Sequence, residues 1–85
     1  MKRYLVMAMR KPGFNEDVIA PHLAFLDALR DVGQLEMTGG FSDRSGGAYV
    51  LVNVDSLAQA QAVVARDPLA TAGSSLLTVH EWNTR

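Results

Sequence analysis

Residues 3–9, Arg-Tyr-Leu-Val-Met-Ala-Met, alternate Leu5, Met7 and Met9 against Tyr4, Val6 and Ala8, so a strand here is apolar on both faces. That pattern suits a central strand covered on two sides. Pro12-Gly13 breaks the run. From residue 16 to 30 the period changes. Val18, His22, Phe25, Leu26 and Leu29 share one helical face, broadened by Ile19 and Leu23, with Asn15 as cap and Glu16 and Asp17 in the first turn. Pro21 has no amide hydrogen to give, which predicts a bent or two-stage helix. Gly33 suits the left-handed position that ends it.

Residues 34–41 alternate Gln34, Glu36 and Thr38 with Leu35, Met37 and Gly39, which reads as a half-exposed or edge strand. Residues 41–47 form a polar, glycine-rich loop. Residues 48–54, with three valines and Tyr49, have the strongest β character in the chain and predict a second central strand. Ser56 and Gln59 fit a capping box, and Leu57, Ala60, Val63 and Val64 stripe the helix that follows. Pro68 ends that helix by disfavouring helical geometry at Asp67. A short turn over 69–73 and a strand over 75–82 complete the chain, with 83–85 as a tail.

The order β-α-β-β-α-β predicts two interleaved β-α-β units, a four-stranded antiparallel sheet and a ferredoxin-like α+β fold. Both helices then cover one sheet face. The opposite face carries apolar side chains from at least two strands, a patch too large to leave in water. Pairing two sheets face to face removes it, so a homodimer through the sheet face is expected.

Composition narrows the function classes. With 85 residues the chain is expected to be one domain, 1–85. Its 48% hydrophobic content comes without a cysteine, so the core has no disulfide to staple it. The same absence removes thiolate chemistry and fits a reducing, cytoplasmic setting. No apolar stretch is long enough for a membrane span, and the apolar start is too brief for a signal peptide. A net charge of −1 gives no reason to expect nucleic acid. Val50, Val52 and Val54 occupy the sheet positions where a nucleic-acid binder would place aromatics.

His22 is the strongest single candidate for chemistry, since an imidazole moves protons near neutral pH. Asp67 sits at a helix-terminal break, where a turn can aim its carboxylate to orient that imidazole. Each also has a plainer reading: a satisfied core-edge histidine, and an Asx turn beyond Pro68. No nucleophile accompanies the pair, because Ser42, Ser45, Ser74 and Ser75 read as loop and strand-start residues. His22 and His80 are the only histidines and lack metal-ligand spacing, so neither a metal nor any other cofactor is expected. Tyr4, Arg3, Arg10 and Arg44 are available to orient substrate oxygens, whereas Tyr49 reads as packing. Gly39-Gly40 ends a strand and leaves room for a ligand; it resembles no phosphate loop.

Read in order, His22-Leu23 with Leu26, Gly33, Gly39-Gly40, Gly46-Gly47, Asp67-Pro68-Leu69, Gly73 and Glu81-Trp82 resemble the YciI-like family over nearly the whole chain. The resemblance implies a dimeric α+β barrel of ferredoxin-like protomers and a His–Asp pair in a cleft, here His22 and Asp67. Members are linked to the degradation of chlorinated aromatic compounds, including a dehydrochlorinase acting on a chlorinated hydroxyhydroquinone. The implied function is therefore cofactor-independent acid–base chemistry on a small hydroxylated or chlorinated aromatic, with Tyr4, Gly39, Gly40 and Arg44 as pocket candidates. A non-catalytic ligand-binding or structural dimer, or an accessory protein to a partner enzyme, stays open as the alternative. The chain departs from the family where Gly-Pro gives way to Gly39-Gly40 and Asp-Pro-Phe to Asp67-Pro68-Leu69, and Pro21 directly precedes the motif histidine.

Overall fold

A computed structural model describes residues 1–85. Strand β1 spans Arg3–Arg10, β2 Leu35–Gly40, β3 Gly46–Leu51 and β4 Ser75–Trp82. Helix α1 spans Ile19–Asp31, α2 Leu57–Val64 and α3 Pro68–Thr71. The strands form one antiparallel sheet in the order β2-β3-β1-β4, which puts the two most apolar strands at its centre. The α+β architecture and the β-α-β-β-α-β order therefore follow the hydrophobic pattern. No helix is long and apolar enough to cross a membrane.

Pro21 is accommodated by a two-stage start. Asn15 caps a 3-10 turn over Glu16–Val18 by accepting from the Asp17 amide at 2.9 Å, and α1 begins at Ile19. Pro21 is then third in α1, where the amide it lacks would have had no intrahelical acceptor. At the other end Gly33 adopts φ +75°, and the amides of Gly33 and Gln34 return to Arg30 and Leu29.

Strand β3 is displaced from the range the valines suggest: it starts at Gly46 and stops at Leu51. It stops because Asn53 takes a left-handed conformation, φ +57°, and its amide donates to the Gly33 carbonyl at 2.7 Å. That contact ties the segment after β3 to the end of α1. Val54 still enters the core from outside the strand.

Tyr4, Val6, Tyr49 and Leu51 from the sheet pack under Leu26 and Leu29 of α1 and Ala60, Val63 and Val64 of α2. A smaller cluster of Ala8, Val18 and Leu69 fills the end where α3 meets the sheet. All helices lie on one face. The other face carries half-buried Leu5, Met7 and Met9, with Met37, Leu76 and Trp82 exposed.

Candidate functional site

Asp67 stands at the junction of α2 and α3. Its own amide donates to the Val64 carbonyl, while Pro68 holds it extended at φ −62°, ψ 129°. That geometry makes it the cap of α3: Oδ1 accepts from the Leu69 amide at 2.9 Å. The same oxygen lies 2.8 Å from Nδ1 of His22, on the first turn of α1. Oδ2 accepts from the Tyr49 hydroxyl at 2.8 Å, from the middle of β3. The carboxylate has no exposed surface, and the His22 side chain is 15% exposed.

These contacts define the protonation pattern. The Leu69 amide and the Tyr49 hydroxyl both have a hydrogen to give, and Asp67 accepts from each. The tautomer that serves this carboxylate has Nδ1 of His22 donating to it, which leaves Nε2, without a hydrogen-bond partner in the chain, as the ring's accepting nitrogen. Burial, the neighbouring Asp67 charge and the hydrogen bond to it raise the Tyr49 phenol far above the usual tyrosine range. Tyr49 therefore keeps its hydrogen and donates at neutral pH.

His22 and Tyr49 line a cavity of about 230 Å³ between α1 and the sheet. Four of its sixteen lining residues are Gly39, Gly40, Gly46 and Gly47, so one wall is largely backbone. Leu23, Leu26, Phe14 and Leu69 make the opposite wall apolar. Arg10 is the single lining residue with a permanent charge, and no carboxylate faces the cavity. The Arg10 guanidinium lies 4.3 Å from the Phe14 ring centre and forms no ion pair. The arrangement can bind one small planar ring, accept its proton at Nε2 and meet negative charge on it with Arg10.

Among the residues singled out from sequence, His22 and Asp67 are brought together, and Gly39 and Gly40 line the same cavity. Tyr4 lies elsewhere, fully buried in the main core, with its hydroxyl unpartnered. Arg44 is exposed in the turn between β2 and β3, outside the cavity lining. His80 bonds Thr78 across the open sheet face. Tyr49, read as packing, is a site residue. Its alternation with Leu51 already put a phenol on the helix-covered face, where a buried hydroxyl needs an acceptor.

The chain matches the YCII-related domain over residues 2–83. It is 45% identical to a Bacillus subtilis (strain 168) protein, "Uncharacterized protein YjpA", over 100% of this chain and 99% of the relative. Its fold is similar to that of 5-chloro-2-hydroxyhydroquinone dehydrochlorinase from Burkholderia phenoliruptrix AC1100, solved in complex with 2,5-dihydroxybenzoquinone. That match has a TM-score of 0.77 and 23% identity over 95% of this chain and 93% of the other. An Arabidopsis thaliana structure is a more distant neighbour, with a TM-score of 0.56 and 12% identity over 100% and 96% of the two chains. At these identities the structural likeness is one of fold. The match along residues 2–83 and the full-length relative together make this chain a member of the YCII-related family.

Proposed function

We propose that this protein is a small cofactor-independent enzyme in which His22 acts as general base and Asp67 as its orienter, on a small hydroxylated or chlorinated aromatic. The observation that carries this reading is an imidazole paired through Nδ1 with Asp67 that lines a largely apolar cavity of about 230 Å³. That volume lies just below the usual range for ligand sites, which suits a single ring. Arg10 would hold an oxygen that becomes negative as the proton leaves.

For a hydroxylated ring in its keto tautomer, with the halogen on a tetrahedral carbon, the step is an elimination. Nε2 takes the proton of an enolic hydroxyl, and the electron pair left on oxygen forms a carbonyl. The enol C=C pair shifts to make a double bond to the halogen-bearing carbon, and halide departs with its bonding pair. The net change is loss of one hydrogen halide, and no external oxidant is needed. The fold neighbour, a dehydrochlorinase bound to a dihydroxybenzoquinone, supports this substrate class.

The working form is proposed to be a homodimer joined through the open sheet face, forming an α+β barrel in the cytoplasm. A screen of halogenated and hydroxylated aromatics, read as halide release, tests the activity beside His22→Ala and Asp67→Asn. Turnover lost in both variants supports the assignment. Turnover retained in both rejects the pair as its source, and no turnover across the screen with ligands still bound favours a binding protein instead.

A further inference from the structure

We propose that Tyr49 is a positioning residue for the His22–Asp67 pair, its phenol holding the second carboxylate oxygen and thereby setting how readily Nε2 of His22 takes a proton. The inference rests on the reading of His22 as the working base and extends it to a third residue on a third element. Tyr49 lies opposite Val6 of β1 and Thr38 of β2, on a strand paired along both edges. The hydroxyl is therefore delivered from the most constrained part of the sheet. It lies 2.8 Å from Oδ2, the oxygen that His22 does not use.

Two consequences follow from this geometry. With Oδ1 tied to the Leu69 amide and Oδ2 to Tyr49, the carboxylate plane cannot turn, and the imidazole plane is set with it. The Tyr49 ring also flanks the imidazole, with centroids 6.1 Å apart and planes tilted by 48°. The second consequence is electrostatic. A carboxylate that receives a donor on Oδ2 disperses its charge and pulls less on the hydrogen at Nδ1. Without that donor, a fully enclosed anion faces a neutral imidazole, and the pair relieves this by taking up a proton. Losing the phenol should therefore move protonation of His22 to higher pH.

The groups that face this imidazole are few. They are Asp67 at the cap of α3, Tyr49 on β3 and, across the cavity, the Arg10 guanidinium on β1. Packing alone would be served equally well by phenylalanine, which keeps the ring and drops only the hydroxyl.

The chain has two histidines, so an NMR titration resolves His22 with His80 as internal reference, assigned through His80→Gln. In Tyr49→Phe the His22 midpoint should rise by roughly 0.5–1 pH unit, the equivalent of about half a hydrogen bond to a charged group, while His80 stays in place. Fluorotyrosine incorporated at position 49, a stronger donor of the same shape, should move the His22 midpoint downward. In an Asp67→Asn background the effect of Tyr49→Phe should vanish. A His22 midpoint that is unchanged in Tyr49→Phe, or that moves together with His80, overturns the proposal. If Asp67→Asn does not fold, the opposite-signed phenylalanine and fluorotyrosine shifts decide alone. The titration needs no substrate. A failed turnover screen would overturn the enzymatic reading, whereas an immobile midpoint would overturn the role of Tyr49.

Discussion

Nδ1 of His22 lies 2.8 Å from Oδ1 of Asp67, although 45 residues separate them and the same oxygen already caps α3. The residue that would orient the imidazole is thus itself oriented by backbone. Asp67→Ala leaves the Leu69 amide, the Tyr49 hydroxyl and Nδ1 of His22 without their acceptor in an enclosed site. Chemical denaturation should show a loss of about 2–4 kcal/mol. Asp67→Asn retains an acceptor oxygen and should lose less stability, yet its amide disturbs the tautomer, so turnover should fall by about 100-fold or more. Equal stability losses in the two variants would show that the capping geometry had been misjudged.

Gly46 and Gly47 are required by close backbone approach. A Cβ on Gly46 would come within 2.0 Å of the Ala8 carbonyl oxygen, and one on Gly47 within 2.6 Å of the Gly39 oxygen. Either alanine forces neighbouring strands apart at the cavity wall, at a cost of about 1–3 kcal/mol. A Cβ on Gly39 meets nothing within 4 Å, so Gly39→Ala should stay within about 0.5 kcal/mol of the parent chain. Thermal unfolding of the three variants checks the contrast.

Arg10 gives the cavity a charge preference that is separable from its chemistry. Arg10→Met keeps a long side chain against Phe14 while removing the only permanent charge in the lining. Binding of a hydroxybenzoate anion, followed by calorimetry, should weaken about tenfold, or about 1.4 kcal/mol, whereas a neutral benzamide should be unaffected. Equal weakening of both ligands would point to a collapsed pocket, not to lost anion recognition.

The fold was legible in the sequence because its signals are periodic. Two-residue alternation identified β1, and a run of valines with Tyr49 identified β3, as central, and Pro68 marks the break after α2 where Asp67 becomes the cap of α3. Asp67 and His22 were legible for different reasons: one follows from local turn chemistry, the other from an imidazole placed on an apolar stripe. Their meeting entered only through the family resemblance and not from the residues themselves, because it depends on how α1 and α3 sit over the sheet. Tyr49 went unrecognised as a site residue because alternation says which face a phenol takes, but not what it meets there. Arg10 could be named from sequence only as one of several cations available to substrate oxygens, for the same reason: only the folded chain sets it against Phe14 in a cavity without carboxylates.

Arg3 reaches past β3 to Glu36, with Nε 2.8 Å from Oε1. The hydrogen bond from Arg3 holds the Glu36 carboxyl below its ordinary range. A depressed folded value contributes stability above the unfolded value of about 4.3, and that contribution is lost as pH falls through the folded value. Glu36→Gln should therefore unfold at lower urea than the parent at pH 7, with the difference closing toward about pH 2. The pair is solvent-exposed, so the gap should be small. A gap that widens on acidification would contradict the sign.

The open sheet face makes the most direct demand on the molecule's surroundings. Met37 is 58% exposed, Leu76 59% and Trp82 45%, while Met9 lies beside Leu76, and Val50 lies between Met37 and Leu5 in the strand register. Their neighbours on this face are mostly apolar, so the exposed side chains join into a patch instead of standing singly. A second copy can cover it by a two-fold axis through the sheet, since the same patch then serves both partners. Sedimentation should accordingly give about 18 kDa, twice the 9.2 kDa chain. Leu76→Glu places a charge on the proposed contact, beside Met9 of the central strand, without touching the helix-covered core, and should return the chain to monomer mass. A parent chain that sediments as a monomer at tens of micromolar would reject this interface. A dimer indifferent to Leu76→Glu would move it to another surface, because burying an unpaired carboxylate against Met7 and Met9 costs several kcal/mol per subunit.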